Sequence, residues 1–377
     1  MMSGEPAPRI VIAGGHSAGH IEPAMNCADA LRRLEPTTEI TALGTVRGLD
    51  TTLIPARGYS LELIPPVPLP RTLSIDLLRT PARLQDSVRV AGSVLDRVRA
   101  EVVLGFGGYV AMPAYLAARR RGLPIVVHEA NAHPGVANRM AARMTPRVFT
   151  AAPNVPLVHA TAIGIPLRPA ITGLDRHALR DTARQRFGLQ CEGQVLLVTD
   201  GSQGAGTINS AASGATAAFR ASDVQILHIT GRQHMIDVLP SCPDDPPYFT
   251  VPYVDEMQYA YAAADFVICR SGAMTCAELA AIGLPAAYVP LPLRGAEQRL
   301  NAEPVVAAGG ALRVDDADLD PSWIETTLIP LLTDPARIAT MSAHASASGV
   351  PDADVVLARQ VLAAVAEQRN VDSRNLR

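Results

Sequence analysis

The chain has 377 residues, 48% of them apolar and 18% charged, and a formal net charge of −3. That length exceeds what one hydrophobic core usually organises, and the apolar content excludes a disordered chain, so two folded domains are expected. All 33 basic residues are arginine, which removes Schiff-base lysines and the P-loop lysine from the available chemistries. Up to residue 163, 17 arginines stand against 12 acids, a net of +5; beyond it, 16 stand against 24, a net of −8. A mildly basic front half suits an anionic membrane face. The bias is too weak for a nucleic-acid partner, and no stripe of arginine interleaved with aromatics appears. The cysteines (Cys27, Cys191, Cys242, Cys269, Cys276) lack CxxC spacing, so neither a zinc site nor a disulfide framework is expected. Residues 1–6 lack a basic start followed by an apolar run, and no apolar stretch reaches spanning length, so a membrane would be met from its surface.

Short β-rich apolar runs alternate with longer helical patterns, the signature of parallel sheets covered by helices. Strands are predicted at 9–13, 39–43, 60–64, 101–105, 124–128 and 147–150, with helices at 23–34, 82–99 and 111–121. After Ile163-Gly164-Ile165-Pro166-Leu167-Arg168 the alternation restarts, with strands near 194–199, 224–230, 265–269, 285–289 and 311–314 and an Ala-rich helix over 210–221. A closing helix near 352–368 is expected to pack back on the first domain. The expected class is α/β, two Rossmann-like doubly wound domains: 1–163, 164–350, and a 351–377 helix returning to the first. In such sheets ligands settle outside the carboxyl ends of the strands, where loops give way to helix N-termini.

Five segments stand at such places. Ala13-Gly14-Gly15-His16-Ser17-Ala18-Gly19-His20 joins the first strand to a helix; its glycines let backbone amides approach an anion. His20 reads equally as a proton acceptor near neutral pH or as a loop or capping histidine. Gly201-Ser202-Gln203-Gly204-Ala205 repeats the anion cradle in the second half, with Asp200 an unexpected carboxylate beside it. Cys269-Arg270-Ser271-Gly272-Ala273-Met274-Thr275 enters a helix carrying Glu278, which reads as a ribose acceptor or as a solvated helix glutamate. Gln298 and Asn301 fall three apart on one helical face, suited to sugar hydroxyls or to a polar surface turn. Gly105-Phe106-Gly107-Gly108-Tyr109 and His128-Glu129-Ala130-Asn131 sit at strand ends of the first domain, where so many polar groups favour an acceptor site over simple turns.

In order and over nearly the whole chain, the loop ending in His20, residues 105–109 and 128–131, Gly164-x-Pro166-x-Arg168, and residues 201–205, 253–257, 270–278 and 297–301 resemble the MurG family of N-acetylglucosaminyltransferases. The resemblance implies a GT-B architecture, two Rossmann-like domains facing across a cleft, with the donor mainly on the C-terminal one. It implies transfer of N-acetylglucosamine from UDP-N-acetylglucosamine to undecaprenyl-pyrophosphoryl-N-acetylmuramyl-pentapeptide in peptidoglycan synthesis, without a cofactor, at the cytoplasmic face of the cell membrane. Carried over by residue, Arg168 and Ser202 hold the donor phosphates, Gln203 is a further donor-binding residue, and Thr275 and the amides near Ala273 cap the pyrophosphate. Glu278 binds the ribose, backbone at Val254 and Met274 reads the uracil, and Gln298 addresses the sugar. On the acceptor side the family's rim matches Ser17, Gly19, His20, Tyr109, His128, Glu129 and Asn131. His16, Asp200 and Leu293-Arg294-Gly295-Ala296 depart from the family pattern.

The expected mechanism is inverting displacement with His20 as base, the leaving charge offset by helix N-termini and Arg168 rather than by a metal. The pairs Asp316/Asp318 and Asp352/Asp354 are read as surface. Residues 69–99 mix Leu73, Ile75, Leu77 and Leu78 with Arg71, Arg79, Arg83 and Arg89, and Arg119-Arg120-Arg121 adds a basic cluster. These fit docking on anionic lipid, or equally an amphipathic helix on the fold's own core. Rival readings are a glycosyltransferase with another lipid or natural-product acceptor, a UDP-sugar 2-epimerase, and a binding paralogue without turnover.

Overall fold

The computed structural model describes every residue except 1–5, 16, 68–74, 200–205, 233–235, 293–296 and 376–377, and every side chain of the others except 75–79 and 375. The chain forms two compact units, Met1–Leu167 with Pro351–Arg377, and Arg168–Val350. Residues 164–167, expected in the second domain, group with the first unit.

Unit 1 is built on seven parallel strands: β1 (Arg9–Gly14), β2 (Glu39–Gly44), β3 (Ser60–Leu63), β4 (Val102–Gly107), β5 (Ile125–Glu129), β6 (Val148–Thr150) and β7 (Ala160–Ala162). Their order, β3-β2-β1-β4-β5-β6-β7, reverses direction between β1 and β4. Alternate residues of β1 face opposite sides. Ile10 and Ile12 join a core with Ile21, Met25, Leu31 and Leu357, whereas Val11 and Ala13 join Val94, Val110 and Tyr115. The covering helices are α1 (Ala18–Leu34), α2 (Asp50–Ala56), α3 (Ile75–Arg97), α4 (Gly108–Arg120) and α5 (Val136–Ala141). The chain's last helix, Ala353–Asn375, runs beyond the expected end at 368 and lays Leu357, Val361, Ala364 and Val365 on the same core as α1. Asp354 is therefore not a surface residue: it is 4% exposed and paired with Arg33 of α1.

Unit 2 carries six parallel strands: β8 (Gln194–Thr199), β9 (Val224–Ile229), β10 (Tyr248–Val251), β11 (Phe266–Cys269), β12 (Ala286–Tyr288) and β13 (Ala311–Arg313). The order β10-β9-β8-β11-β12-β13 reverses between β8 and β11. Its helices include α6 (Pro169–Thr172), α7 (Arg176–Arg186), α8 (Gly206–Gly214), α9 (Thr216–Ala221), α10 (Met257–Ala263), α11 (Ala273–Ala281) and α12 (Glu297–Ala307). The single helix expected over 210–221 is broken after Gly214, where a Cβ would stand 2.7 Å from the ring of Pro321. All five cysteines are free, with Cys27, Cys269 and Cys276 buried.

In each sheet the strand order reverses between the two strands whose following loops carry the glycine-rich segments. That is where the rule for open α/β sheets puts a ligand.

Candidate functional site

In unit 1 the β1 loop enters α1 at Ser17, an extended N-cap residue (φ −120°, ψ 154°) whose carbonyl accepts the amides of His20 and Ile21, both at 3.1 Å. The Ser17 hydroxyl does not cap the helix. It lies 2.9 Å from His20 Nδ1. With the proton on Nδ1, Ser17 Oγ accepts it and Nε2 keeps the lone pair that a general base requires. Gly19 is exposed, and a side chain there would meet nothing.

The β4–α4 turn approaches the same histidine. Gly107 and Gly108 have φ of +86° and +76°, a region that side chains disfavour. A Cβ on Gly107 would come within 3.6 Å of the His20 ring, and one on Gly108 within 3.0 Å of the Gly15 carbonyl oxygen. The close packing of these two glycine turns leaves no room for side chains. Tyr109 is half-buried in the first turn of α4.

Beneath both turns lies a buried polar network. Tyr115 on α4 donates its hydroxyl to Asn138 Oδ1 at 2.8 Å and is hydrogen-bonded to the Gly107 backbone. Asn138 Nδ2 donates to Glu129 Oε2 (2.9 Å) and to the His128 carbonyl (3.1 Å). Glu129 also accepts the amides of Asn131 and Gly135, each at 3.0 Å. The direct contact expected of Glu129 thus becomes an indirect one: 2% exposed, its carboxylate shapes the loop that presents Asn131, which is half-buried.

His128 is likewise no rim residue. It is fully buried, packs on Phe106 with ring centroids 5.3 Å apart, and its Nε2 meets the Gly164 carbonyl oxygen at 2.8 Å. Burial pushes its pKa down to about 4, so at neutral pH it is an uncharged donor through Nε2.

In unit 2 the β11 loop enters α11 through Gly272, an extended N-cap residue without a side-chain cap. Ala273, Met274 and Thr275 form the first turn and are all half-buried. Their amides are helix-start donors, suited to an anion. Glu278, one turn further on, is 7% exposed; its Oε2 accepts the Tyr261 hydroxyl at 2.8 Å and its Oε1 lies 3.9 Å from Arg168 NH2. Arg168 caps the start of α6, with Pro169 in the first helical position. The structure thus brings Arg168 and Glu278 together.

Gln298 on α12 accepts the Leu291 amide at 2.9 Å, and Asn301 reaches the Ser271 carbonyl at 3.4 Å, so the two amides tie α12 to the loops after β12 and β11. Val254, half-buried, packs on the core beside α10. Ser202, Gln203 and the departures at His16, Asp200 and 293–296 lie outside the described residues.

Asp316 is a correction. Read as surface, it pairs with Arg270 of the β11 loop and accepts Thr207 Oγ1 of α8 at 3.1 Å, linking the elements that follow β8 and β11. Tyr115, Asn138, Tyr261 and Asp316 escaped sequence reasoning because each acts through a contact distant in the chain. The one available signal was tyrosine or asparagine inside an otherwise apolar helix pattern, which predicts a buried partner.

The basic segment is partly outside the described residues: 69–74 and the side chains of 75–79. In the described part of α3, Val88, Ala91, Val94 and Leu95 belong to the unit's own core, and Arg89 pairs with Asp86. Arg119 and Arg120 are exposed, whereas Arg121 makes a two-pronged bond to Asp96 with both contacts at 2.6 Å. No helix among the described residues is long and apolar enough to cross a membrane.

Two doubly wound units, each with a glycine-lined loop at its topological switch point, are the architecture of the GT-B class, and the family matches make the chain a glycosyltransferase of that class. Residues 10–150 match the Glycosyltransferase family 28 N-terminal domain and residues 195–357 the Glycosyltransferase family 28 C-terminal domain. The chain is 57% identical over 349 residues, 91% of either chain, to the UDP-N-acetylglucosamine--N-acetylmuramyl-(pentapeptide) pyrophosphoryl-undecaprenol N-acetylglucosamine transferase of Mycolicibacterium smegmatis. The chain belongs to this MurG family. Among solved structures, Acinetobacter baumannii MurG is similar with a TM-score of 0.76 at 24% identity, covering 95% of this chain and 99% of that one. The UDP-GlcNAc 2-epimerase from Neisseria meningitidis, bound to UDP-GlcNAc, has a TM-score of 0.64 at 15% identity over 94% of this chain and 99% of that one, a likeness of fold.

Proposed function

We propose that the chain transfers N-acetylglucosamine from UDP-N-acetylglucosamine to the muramyl sugar of undecaprenyl-pyrophosphoryl-N-acetylmuramyl-pentapeptide, with inversion. The observation that carries the reading on the structural side is His20 at the switch point of the first sheet, its Nδ1 2.9 Å from Ser17 Oγ. The acceptor hydroxyl attacks the anomeric carbon; a carbon–oxygen bond forms there as the bond to the UDP β-phosphate oxygen breaks, and the proton passes to His20 Nε2. Unit 1 supplies the acceptor groups Ser17, Gly19, Tyr109 and Asn131, with Glu129 and His128 shaping their loops.

Unit 2 holds the donor. Arg168, the first amides of α11 at Ala273 and Met274, Thr275, and the Ser202-Gln203 loop take the diphosphate, and their positive potential offsets the leaving charge. Glu278 accepts the ribose hydroxyls, backbone at Val254 and Met274 reads the uracil edge, and Gln298 addresses the sugar. No metal enters this scheme; full turnover in excess EDTA is expected, and a collapse restored by magnesium would refute it. The chain works at the cytoplasmic membrane face, held from the surface by residues 69–83 and Arg119-Arg120. Unchanged flotation of an Arg83/Arg119/Arg120 charge-reversed chain with anionic vesicles would clear that surface.

Labelled UDP-N-acetylglucosamine, incubated with and without a short-chain lipid acceptor, separates the readings. Transfer only with acceptor supports the proposal, an epimer formed without acceptor makes the chain an epimerase, and binding without turnover makes it a binding paralogue.

A further inference from the structure

Among the groups around the donor elements, one buried side chain has a geometry that the transfer chemistry does not itself require. Tyr261 lies on α10, 3% exposed, with its ring in the core that also holds Val267, Leu279 and Tyr288. Its backbone is fixed from behind: Arg176 donates to the carbonyls of Tyr261 (3.3 Å), Ala264 (2.6 Å) and Gly283 (3.1 Å), pinning the end of α10 and the turn after α11 to one guanidinium. From that fixed ring the hydroxyl donates to Glu278 Oε2 at 2.8 Å. The other oxygen, Oε1, is the one directed to Arg168, 3.9 Å away.

We infer that Tyr261 is a positioning residue for donor recognition: its hydroxyl holds one oxygen of Glu278 so that the other is presented, in a single orientation, to the ribose hydroxyls. The inference rests on the ribose role proposed for Glu278. A terminal carboxylate torsion is broad and roughly two-fold in free side chains, and the hydrogen bond from Tyr261 to Oε2 narrows it for Glu278. Two hydroxyls of one ribose need two acceptor directions fixed together, and a donor anchored in the core supplies that constraint without touching the nucleotide. The phenol cannot exchange roles with the carboxylate. Burial, the charge of Glu278 and the hydrogen bond to it together push the Tyr261 hydroxyl well above its usual titration range, so it remains a donor across the working pH.

The test compares binding of UDP with 2′,3′-dideoxy-UDP to the full chain by calorimetry, alongside thermal unfolding. The unaltered protein should prefer UDP by at least about tenfold, as expected for hydrogen bonds to a charged acceptor. Tyr261→Phe, which keeps the ring in its core site, should reduce that preference to within about threefold while kcat at saturating donor stays within about twofold. An unchanged preference in Tyr261→Phe overturns the inference, provided Glu278→Gln abolishes it. If Glu278→Gln leaves the preference intact, the ribose reading itself fails. Should Tyr261→Phe not fold, Tyr261→Met, which also fills the core site and lacks the hydroxyl, carries the same test: a preference that stays at about tenfold overturns the inference.

Discussion

His20 is held on two sides, by Ser17 at its Nδ1 and by the Gly107–Gly108 turn against its ring, so its Nε2 has one orientation to offer. Removing the imidazole should lower kcat by about 10²–10⁴-fold, the usual contribution of a positioned base, with the affinity for UDP unchanged because no donor group is lost. A stopped-flow or radiolabel kcat within about threefold of the parent in His20→Ala would remove the base from the scheme. Asn138 belongs to the same scale. It accepts Tyr115, donates to Glu129 and donates to the His128 carbonyl, so Asn138→Ala takes a hydrogen bond from each of three buried partners on two elements, α4 and β5. That should cost about 1–3 kcal/mol in urea unfolding and raise KM for the lipid acceptor several-fold more than KM for the donor. Equal rises in both would mean the network does not shape the acceptor loop selectively. The glycine turns and His20 were legible because a strand, a glycine run and a helix are adjacent in sequence. Asn138 was not, since its three partners are 9 to 23 residues away and no local pattern marks them.

Elements were legible where they repeat a period, and misjudged where a neighbour distant in sequence decides. Eleven of the thirteen strands read correctly to within two residues, most of them because buried parallel strands are apolar runs rich in valine, isoleucine and leucine. β7 and β10, short and with exposed residues (160–162 fully so, and Thr250 and Phe249), carry no such run and were missed. The break after Gly214 was illegible for a related reason: it falls where the chain packs on the ring of Pro321, which lies more than 100 residues further on. Most consequential is the last helix. Leu357, Val361 and Val365 are at most 2% exposed, and the helix is tied down by Arg33–Asp354, Arg147–Glu367 and a two-oxygen bond from Arg369 to Glu101. Burying three such side chains stabilises by about 5–9 kcal/mol. That is comparable to the whole stability of a domain. A chain ending at Val350 is therefore expected to lose unit 1 while keeping unit 2, which limited proteolysis shows directly: a resistant fragment spanning 168–350 and rapid cleavage before it. Equal resistance of both halves would mean the helix is an accessory.

At the scale of the whole molecule, each unit carries one buried neutral histidine among the described residues, and the two define a common acid sensitivity. In unit 1 His128 is fully buried; in unit 2 His228 is fully buried between Tyr248 (2.9 Å at Nδ1) and Asn209 (2.9 Å at Nε2). Burial pushes both pKa values down to about 4 from 6.5. Because the folded pKa lies below the unfolded one, the unfolded state binds more protons between these values, and stability rises with pH across that window. The contribution is fully present above about pH 6.5 and is lost progressively as pH falls towards 4, amounting to about 2–3 kcal/mol per unit by pH 4.5. For units of this size that corresponds to a fall in Tm of about 5–10 °C between pH 7.5 and 4.5, in both units alike. Carboxylates that lose their partners would add to the same trend, so the decisive measurement is the titration of the rings themselves. The imidazole signals of His128 and His228, identified by substitution, should stay in the neutral position down to about pH 5. A His128 signal that titrated above pH 6 would mean that the β5 strand end opens to water in the native state. The loop carrying Asn131 would then not be held as the acceptor reading requires.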